Sequence, residues 1–222
     1  MKTALIAGAS GLCGKSLLFA MLKRKEYSKV FILVRKELAI KDAKLTQLLF
    51  DYENEQDYQN IPQADEIFCC LGTTIKKAKS QAAFKKVDWE YPSKLAKVCA
   101  DKKYKKFLLI TAIGADKNST FFYNRVKGET EEAIKTYPFE SIFICRPSLL
   151  LGNRSEFRLG EKIGTFFGEA ISVFLFGALK RYKAIDSITV ANAMLALADG
   201  NETGIHIIES DKLQDLGRSV NQ

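Results

Sequence analysis

Residues 2–14 read K-T-A-L-I-A-G-A-S-G-L-C-G, and this stretch decides the fold. A short apolar run, residues 4–7, stops at Gly8, and Gly11 and Gly14 follow at intervals of three residues. A helical pattern of apolar residues then extends to Leu22. Strand, glycine turn and helix in this order predict a phosphate-binding turn, because its backbone N–H groups and the helix N-terminus both favour an anion.

A secretory signal peptide is the alternative interpretation of this opening, since Lys2 precedes an apolar stretch. Three glycines break that stretch, Lys15 stands where it should continue, and the basic run 23–25 follows soon after. A small-x-small cleavage motif is not recognisable after it. We therefore favour the phosphate-binding turn.

Chain length and cysteine content indicate a reduced, single-domain protein. The 222 residues suit one domain. The five cysteines are odd in number, fall on apolar segments and lack metal-ligand spacing, so we expect buried thiols, no metal and a cytoplasmic localisation. The adjacent Cys69 and Cys70 should point to opposite faces of a strand.

The net charge of +8 is concentrated in one segment. Residues 76–106 hold eleven Lys against three acidic residues, so the rest of the chain is balanced. Such a segment could form a nucleic-acid surface, but the Arg and interleaved aromatic residues that such surfaces usually contain are scarce here. We interpret the segment as a solvated helical face and expect no nucleic-acid partner.

Apolar runs along the chain predict an α/β fold with a doubly wound parallel sheet. They are continuous rather than alternating, as expected for strands with helices on both faces. The predicted strands are residues 4–7, 30–34, 45–50, 66–71, 106–110 and 141–145, with a late strand at 205–208, and helices are predicted at 88–100 and 122–135. We expect residues 1–222 to form one Rossmann domain, with a substrate-side lobe at about 148–204.

Residues 163–179 form a long apolar stretch near the predicted lobe. Glu169 and three glycines interrupt it, and it is marginally short for a membrane span. We predict a buried helix beside the substrate pocket, with a subunit interface or a membrane-surface contact as the alternatives. His206, the only histidine, lies in the late strand, and we assign it no catalytic role.

Tyr123 and Lys127 are the candidate catalytic pair. Residues four apart share one face of a helix, so the two side chains should lie close together. A phenol, whose reference pKa is about 10, is a poor acid or base at neutral pH, but a neighbouring ammonium favours the phenolate. Such a phenol could donate a proton to a carbonyl oxygen while hydride arrives at the carbon, or accept one in the reverse direction.

The chain resembles the atypical short-chain dehydrogenase/reductase family, in the branch of the Tat-interacting tumour-suppressor oxidoreductase and its bacterial relatives. The resemblance spans nearly the whole chain and is weakest in the last forty or so residues. It is carried by the glycine turn, Asp51 and four further segments: residues 70–74, 113–116, 122–129 and 146–148.

The resemblance implies roles for individual residues. Tyr123, Lys127 and a hydroxyl at Thr111 would be catalytic, and Lys127 would also hold the nicotinamide ribose. The cofactor would be bound by the glycine turn, at Gly8, Ser10, Gly11, Leu12 and Gly14, by Asp51 near the adenine, and by Leu71, Gly72 and Thr73 near the ribose and nicotinamide.

In such folds, the residue at the end of the second strand distinguishes NAD from NADP. An acidic residue there would bind the ribose 2′-hydroxyl of NAD, whereas this chain has Arg35 followed by Lys36. A guanidinium suits the additional 2′-phosphate of NADP. We therefore expect NADP rather than NAD.

Two positions depart from the family pattern. Family members often have a Ser pair where this chain has Thr111 and Ala112, and Ala112 offers no hydroxyl to a substrate carbonyl. The helical Asn that belongs to the family's proton relay is replaced by Asp88. Both departures weaken the expectation of efficient catalysis and leave cofactor binding untouched.

The sequence thus predicts an NADP-dependent oxidoreductase acting on a small carbonyl or alcohol. A cofactor-binding regulator with a protein partner is the alternative function. The sequence is also compatible with a homodimer. A nucleotide-sugar epimerase is disfavoured by the short sequence after Pro147. The substrate pocket is expected to involve Arg154, Phe157, Arg158 and Glu161, where the two Arg would suit an anionic substrate group.

Overall fold

In the part of the chain that the structure describes, seven strands form one parallel sheet. The computed structural model describes residues 1–152 and 177–219. The strands are β1 (Lys2–Ala7), β2 (Tyr27–Val34), β3 (Leu45–Leu49), β4 (Glu66–Cys69), β5 (Lys106–Ile110), β6 (Ser141–Arg146) and β9 (Gly204–Glu209). Their order across the sheet is β3-β2-β1-β4-β5-β6-β9, and each neighbouring pair is parallel.

Helices cover both faces of this sheet. They are α1 (Leu12–Leu22), α2 (Glu55–Gln59), α3 (Ile75–Ala78), α4 (Gln81–Lys85), α5 (Tyr91–Asp101), α6 (Phe122–Lys135), α7 (Ser187–Asp199) and α8 (Ser210–Ser219). One core cluster joins alternate strand residues to α1 and α7, and a second joins the other strand residues to α5 and α6. Cys69 belongs to the second cluster and Cys70 packs against the first, as the alternation of a strand requires.

The carboxyl ends of β1 and β4 lie at the point where the strand order reverses. The chain runs outward from β1 through β2 to β3, then returns to the other side of β1 and continues from β4 to β9. Ligands bind at such a switch point in open parallel sheets. The glycine turn follows β1 and residues 70–74 follow β4, so both segments predicted to bind a cofactor meet there.

The helix predicted at residues 88–100 has a different form in the structure. Residues Lys86–Glu90 make a π-helical turn between α4 and α5, and α5 itself begins at Tyr91. Pro92 in the first turn of α5 explains this geometry, because its ring has no N–H to donate to the carbonyl of Asp88 and crowds that carbonyl in an α-helix. The π-turn therefore leaves the backbone oxygen of Asp88 available to another partner.

A small sheet of two strands follows β6 and lies close to the glycine turn. Strands β7 (Leu150–Leu151) and β8 (Ile185–Asp186) pair in parallel, and a 3₁₀-helix, Gly177–Tyr182, precedes β8. A Cβ on Gly152 would lie 2.6 Å from Leu12, so this segment packs closely over the start of α1. Helix α7, within the range predicted for the lobe, belongs to the main core beside α1. Most of the apolar stretch 163–179 lies outside the described residues.

Several lysines of the segment 76–106 form ion pairs and hydrogen bonds with neighbouring elements. Lys85 pairs with Glu129, Lys86 with Glu53, and Lys94 with both Glu55 and Glu90. In addition, the ammonium of Lys106 donates to the carbonyls of Ala198 and Gly200. Much of the positive charge therefore contributes to contacts within the domain.

In residues 1–152 and 177–219, which the structure describes, the helices are too short or too polar to span a bilayer. Within the same ranges, His, Cys, Asp and Glu side chains do not gather in a group of three or more that could hold a metal ion. All five cysteines are free thiols, and burial raises the pKa of Cys69 and Cys145 to about 12.

Gly217→Ala is expected to destabilise the domain by about 1–3 kcal/mol, because extra atoms in a close-packed contact force backbone shifts. A Cβ at this position would lie 2.1 Å from the carbonyl oxygen of Thr189, where α8 crosses α7. Urea unfolding measures the change. Gly200→Ala is the matched control, since its Cβ would meet only ordinary contacts at 3.5 Å. Equal stabilities of the two variants would contradict this packing.

Candidate active site

The glycine turn brings the end of β1 against the end of β4. Gly8 has a φ of 86°, and a Cβ on it would lie 2.6 Å from the carbonyl oxygen of Cys70. A Cβ on Gly14 would lie 2.2 Å from the carbonyl oxygen of Gly8, and the N–H of Gly11 donates to that same oxygen at 2.9 Å. The turn can therefore hold this tight form only with glycine at positions 8 and 14.

The N-terminus of α1 is open toward this turn. Its N-cap is Gly11, which has no side-chain cap, and the first turn of the helix has no acidic residue. The first N–H groups of a helix lack intrahelical acceptors and carry partial positive charge. Ser10 is exposed beside them and Leu12 is half-buried. The uncapped helix and the tight turn together fit the diphosphate of a dinucleotide.

The other predicted cofactor residues lie at the same edge of the sheet. Arg35 and Lys36 directly follow β2 and are exposed. Asp51 comes shortly after β3 and is also exposed, with one carboxylate oxygen accepting the N–H of Glu53 at 3.0 Å. Leu71 packs against the core cluster on the α5 and α6 side. These side chains lie along one edge, because all the strands run in the same direction.

Helix α6 positions the two predicted catalytic residues as the sequence indicates. It runs from Phe122 to Lys135, which are the bounds predicted from the sequence. Tyr123 is 36% exposed, and its ring centroid lies 5.6 Å from that of the buried Phe84. Lys127, one turn later, is 5% exposed. One member of the pair is therefore partly exposed to solvent, while the other lies in the interior.

Asp88 forms a buried ion pair with Lys127. The ammonium Nζ lies 2.7 Å from Oδ1 of Asp88, and the two side chains are 6% and 0% exposed. Burial by itself lowers the pKa of Lys127, but the charges of Asp88 and Tyr123 outweigh it, so the pKa lies above its usual value. The lysine therefore stays protonated throughout the neutral range.

The loop after β4 contacts this ion pair directly. The N–H of Thr73 donates to Oδ2 of Asp88 at 2.8 Å. A Cβ on Gly72 would lie 3.4 Å from Oδ1 of Asp88 and 3.6 Å from Nζ of Lys127. Contacts thus run continuously from Gly8, through residues 70–73, to the lysine. The sequence identified Asp88 only as a departure from the family pattern and did not predict this pairing.

Thr111 lies in a separate polar network. Its hydroxyl is buried and donates to Oε1 of Glu131 at 2.7 Å. Glu131 in turn accepts two hydrogen bonds from Arg146, at 3.0 and 2.6 Å, and Arg146 also contacts Glu209. The structure therefore shows the Thr111 hydroxyl bonded to Glu131. Sequence analysis missed Glu131, since only the fold brings it to β5 and β6.

A cavity of about 400 Å³ opens beside this second network. It is lined by the loop 115–118, by residues of α6 that include Glu131 and Glu132, and by Arg146. Tyr123 and Lys127 are not among its lining residues. The residues predicted for the substrate pocket, Arg154, Phe157, Arg158 and Glu161, lie outside the described residues.

Comparisons with known proteins show the family of the chain. The HIM1 family model matches residues 30–171. The chain is similar to Protein HTATIP2 from Rattus norvegicus, with 34% identity over 98% of this chain and 90% of that protein. It is also similar to Protein FMP52, mitochondrial, from Eremothecium gossypii, with 29% identity over 98% of each chain.

Solved structures of low identity share the fold. MoeE5 in complex with UDP-glucuronic acid and NAD has a TM-score of 0.70 and 13% identity, covering 93% of this chain and 75% of that one. A UDP-glucose 4-epimerase with UDP-glucose, from Thermotoga maritima, has a TM-score of 0.69 and 14% identity, covering 98% and 82%. The doubly wound, Rossmann-type sheet predicted from the sequence is therefore confirmed.

The cytoplasmic localisation expected from the sequence is wrong. Relatives from Eremothecium gossypii, Kluyveromyces lactis and Saccharomyces cerevisiae are named as mitochondrial proteins. The expectation came from free thiols and a rejected signal peptide, and neither feature distinguishes one reducing compartment from another.

Proposed function

The chain belongs to the HIM1 family, and from this premise we propose that it is an NAD(P)-dependent oxidoreductase acting on a small carbonyl or alcohol. When bound, the coenzyme would supply or take up the hydride, and Tyr123 would donate or accept the proton. The observation that carries the proposal is the buried Asp88–Lys127 pair, one helical turn from Tyr123 and in contact with the loop after β4.

Residues of the chain suit each part of the coenzyme. Gly8, Gly11 and Gly14 and the open N-terminus of α1 would hold the diphosphate. Asp51 would lie near the adenine, and Leu71, Gly72 and Thr73 near the ribose and nicotinamide, together with Lys127. The presence of NAD in the structure of MoeE5, which has the same fold, supports a nicotinamide dinucleotide.

The proton chemistry follows from the environment of Lys127. Its ammonium remains charged in the interior because Asp88 pairs with it. Tyr123 stands one helical turn before Lys127, so the two side chains share one face of α6. In carbonyl reduction Tyr123 donates that proton to the carbonyl oxygen, and in alcohol oxidation it accepts one.

NADP is the proposed coenzyme because two cationic residues follow the end of β2. Arg35 and Lys36 are exposed there, where an acidic residue would bind the ribose 2′-hydroxyl of NAD. A guanidinium can donate two hydrogen bonds to a 2′-phosphate.

Arg35→Ala is expected to weaken NADPH binding by about tenfold, the equivalent of one charge-assisted hydrogen bond, while NADH affinity stays unchanged. Fluorescence titration of the two coenzymes measures both affinities. Lys25→Ala is the control, since it removes an exposed cation just before β2, at the opposite edge of the sheet. Equal losses for NADPH and NADH at Arg35 would contradict NADP selection there.

A cofactor-binding regulator is the second candidate, and one observation favours it. The Thr111 hydroxyl is held by Glu131, and Ala112 has no hydroxyl, so a substrate carbonyl would need the Thr111–Glu131 bond to open. A protein that binds the coenzyme without turning over a substrate would not need this group.

Coenzyme oxidation in the presence of a panel of aldehydes and ketones separates the two candidates. The oxidoreductase consumes NADPH with at least one carbonyl and forms the corresponding alcohol in equal amount. A regulator binds NADPH and leaves every carbonyl unchanged, and this result would overturn the enzyme proposal.

A further inference from the structure

Exposed apolar side chains follow three neighbouring strands of the main sheet. Strands β4, β5 and β6 lie side by side and run in the same direction, so the segments after them leave the sheet at one edge. Five large apolar side chains in these segments are 36–75% exposed, and we refer to them as the apolar rim: Ile75, Phe121, Tyr123, Leu149 and Leu151.

One part of the apolar rim adjoins the candidate proton donor. The rings of Tyr123 and Phe122 lie 5.6 and 5.7 Å from the buried ring of Phe84, centroid to centroid. Phe84 belongs to α4, which also contacts the short helix α3 that begins at Ile75. Phe121, at the start of α6, is 75% exposed. The segment after β4 and the first turn of α6 therefore meet around aromatic side chains.

The other part of the apolar rim lies on the segment that leads from β6 to the glycine turn. Gly152 packs closely over the start of α1, so residues 147–152 cross the carboxyl edge of the sheet from β6 toward β1. Leu150 packs against the core cluster that contains α1 and α7. Because side chains alternate along a strand, Leu149 and Leu151 point away from that core.

The apolar rim lies at the edge of the sheet where ligands of such folds bind. The proposed coenzyme site is at the ends of β1 and β4, and β5 and β6 lie on the other side of β4 from the glycine turn. A carbonyl that takes a proton from Tyr123 brings the group attached to it against the rim, since Tyr123 is itself one of the rim residues. Single exposed apolar residues are common, whereas a concentration of them at a ligand-binding edge is typical of a binding groove.

We propose that the substrate is an aldehyde or ketone, or the corresponding alcohol, whose reacting carbon bears an apolar group that packs against the apolar rim. The group is an aromatic ring or an alkyl chain of several carbons. This inference rests on the proposed function, since it names the substrate class of the same site. Burial of such a group removes its own apolar surface and that of the rim from water.

The rim suits an apolar group better than a sugar. The structure of similar fold from Thermotoga maritima holds UDP-glucose, whose sugar is covered with hydroxyls. The side chains of Ile75, Phe121, Leu149 and Leu151 have no hydrogen-bonding atoms to offer such hydroxyls. A polar group that loses water without gaining a partner costs free energy, so these side chains disfavour a sugar next to Tyr123.

A series of straight-chain aldehydes tests the substrate class. With NADPH, we expect kcat/KM to rise about two- to fourfold for each methylene from ethanal to octanal, where the upper value corresponds to full burial of each methylene. Glyceraldehyde, which carries two hydroxyls on a short chain, should be a poorer substrate than butanal. A value of kcat/KM that is independent of chain length, or a preference for glyceraldehyde, would overturn the inference.

Phe121→Ala tests the rim itself. We expect kcat/KM for octanal to fall by about tenfold and that for ethanal to change by less than about twofold, because only the longer chain has methylenes to pack against the ring. Ile75→Ala should act in the same direction from a different helix, which covers a disturbance of α6 by the first variant. Phe19→Ala, at an exposed phenylalanine of α1, is the control and should leave both values unchanged. Equal losses for octanal and ethanal in both rim variants would overturn the inference.

Unreactive amides distinguish failure of this inference from failure of the proposed function. Octanamide and acetamide resemble the aldehydes in shape but are not reduced by NADPH. In NMR titrations with NADPH present, we expect octanamide to bind at least about tenfold more tightly than acetamide, and Phe121→Ala to remove most of that difference. Equal affinities of the two amides would overturn the inference, whatever the protein catalyses. Binding of octanamide at the rim without turnover of any aldehyde would support the apolar groove and contradict the oxidoreductase proposal alone.

Discussion

Tyr123→Phe is expected to reduce NADPH-dependent carbonyl reduction by about a hundredfold or more, the usual contribution of a general acid, with NADPH affinity nearly unchanged. The change removes only the hydroxyl, and the ring keeps its contact with Phe84. Lys127 keeps its partner Asp88, so the interior of the site is preserved. Steady-state kinetics with the best carbonyl of the panel, together with NADPH titration, give the two quantities.

Tyr137→Phe is the matched control for this variant. Tyr137 follows the far end of α6 and packs against the core cluster on that side, so loss of its hydroxyl should leave kcat unchanged. Turnover by Tyr123→Phe at the wild-type rate would contradict the assignment of the proton donor. A parallel loss of NADPH affinity would instead identify Tyr123 as a binding group.

Gly14→Ala is expected to reduce coenzyme affinity by about tenfold or more, since strain of about 1–3 kcal/mol would fall on the turn that holds the diphosphate. A Cβ there would lie 2.2 Å from the carbonyl oxygen of Gly8. Backbone atoms on both sides make the clash costly to relieve, so α1 must move away from β1. Calorimetric titration with NADPH measures the loss.

Gly217→Ala separates loss of binding from general destabilisation. It introduces a comparable clash, 2.1 Å from the carbonyl oxygen of Thr189, at the crossing of α7 and α8. We expect Gly217→Ala to lose stability and keep its NADPH affinity, and Gly14→Ala to lose both. If Gly14→Ala bound NADPH as tightly as Gly217→Ala does, the glycine turn would not be the coenzyme site.

Local sequence predicted the strands and α6 closely. Strands buried on both faces are continuous apolar runs, so β5 was predicted with the bounds it has. Helix α6 was predicted from about Phe122 to Lys135, which are the bounds that it has. The resemblance to the atypical short-chain dehydrogenase/reductase branch is confirmed by the family match and by the similarity to Protein HTATIP2.

Contacts between distant segments could not be predicted in the same way. The π-turn depends on Pro92 together with Thr130, a partner for the Asp88 carbonyl that is distant in sequence. The partner of Thr111 is Glu131, twenty residues away on another element. Local propensity carries no information about such pairs, and the candidate site is built from them.

Binding of a nicotinamide coenzyme is the claim on which the account depends. Calorimetric titration of the purified chain with NADPH and with NADH tests it most directly. We expect saturable binding of one coenzyme per chain, tighter for NADPH, and weakened by Gly14→Ala. Absence of binding by either coenzyme to the folded protein would contradict the account.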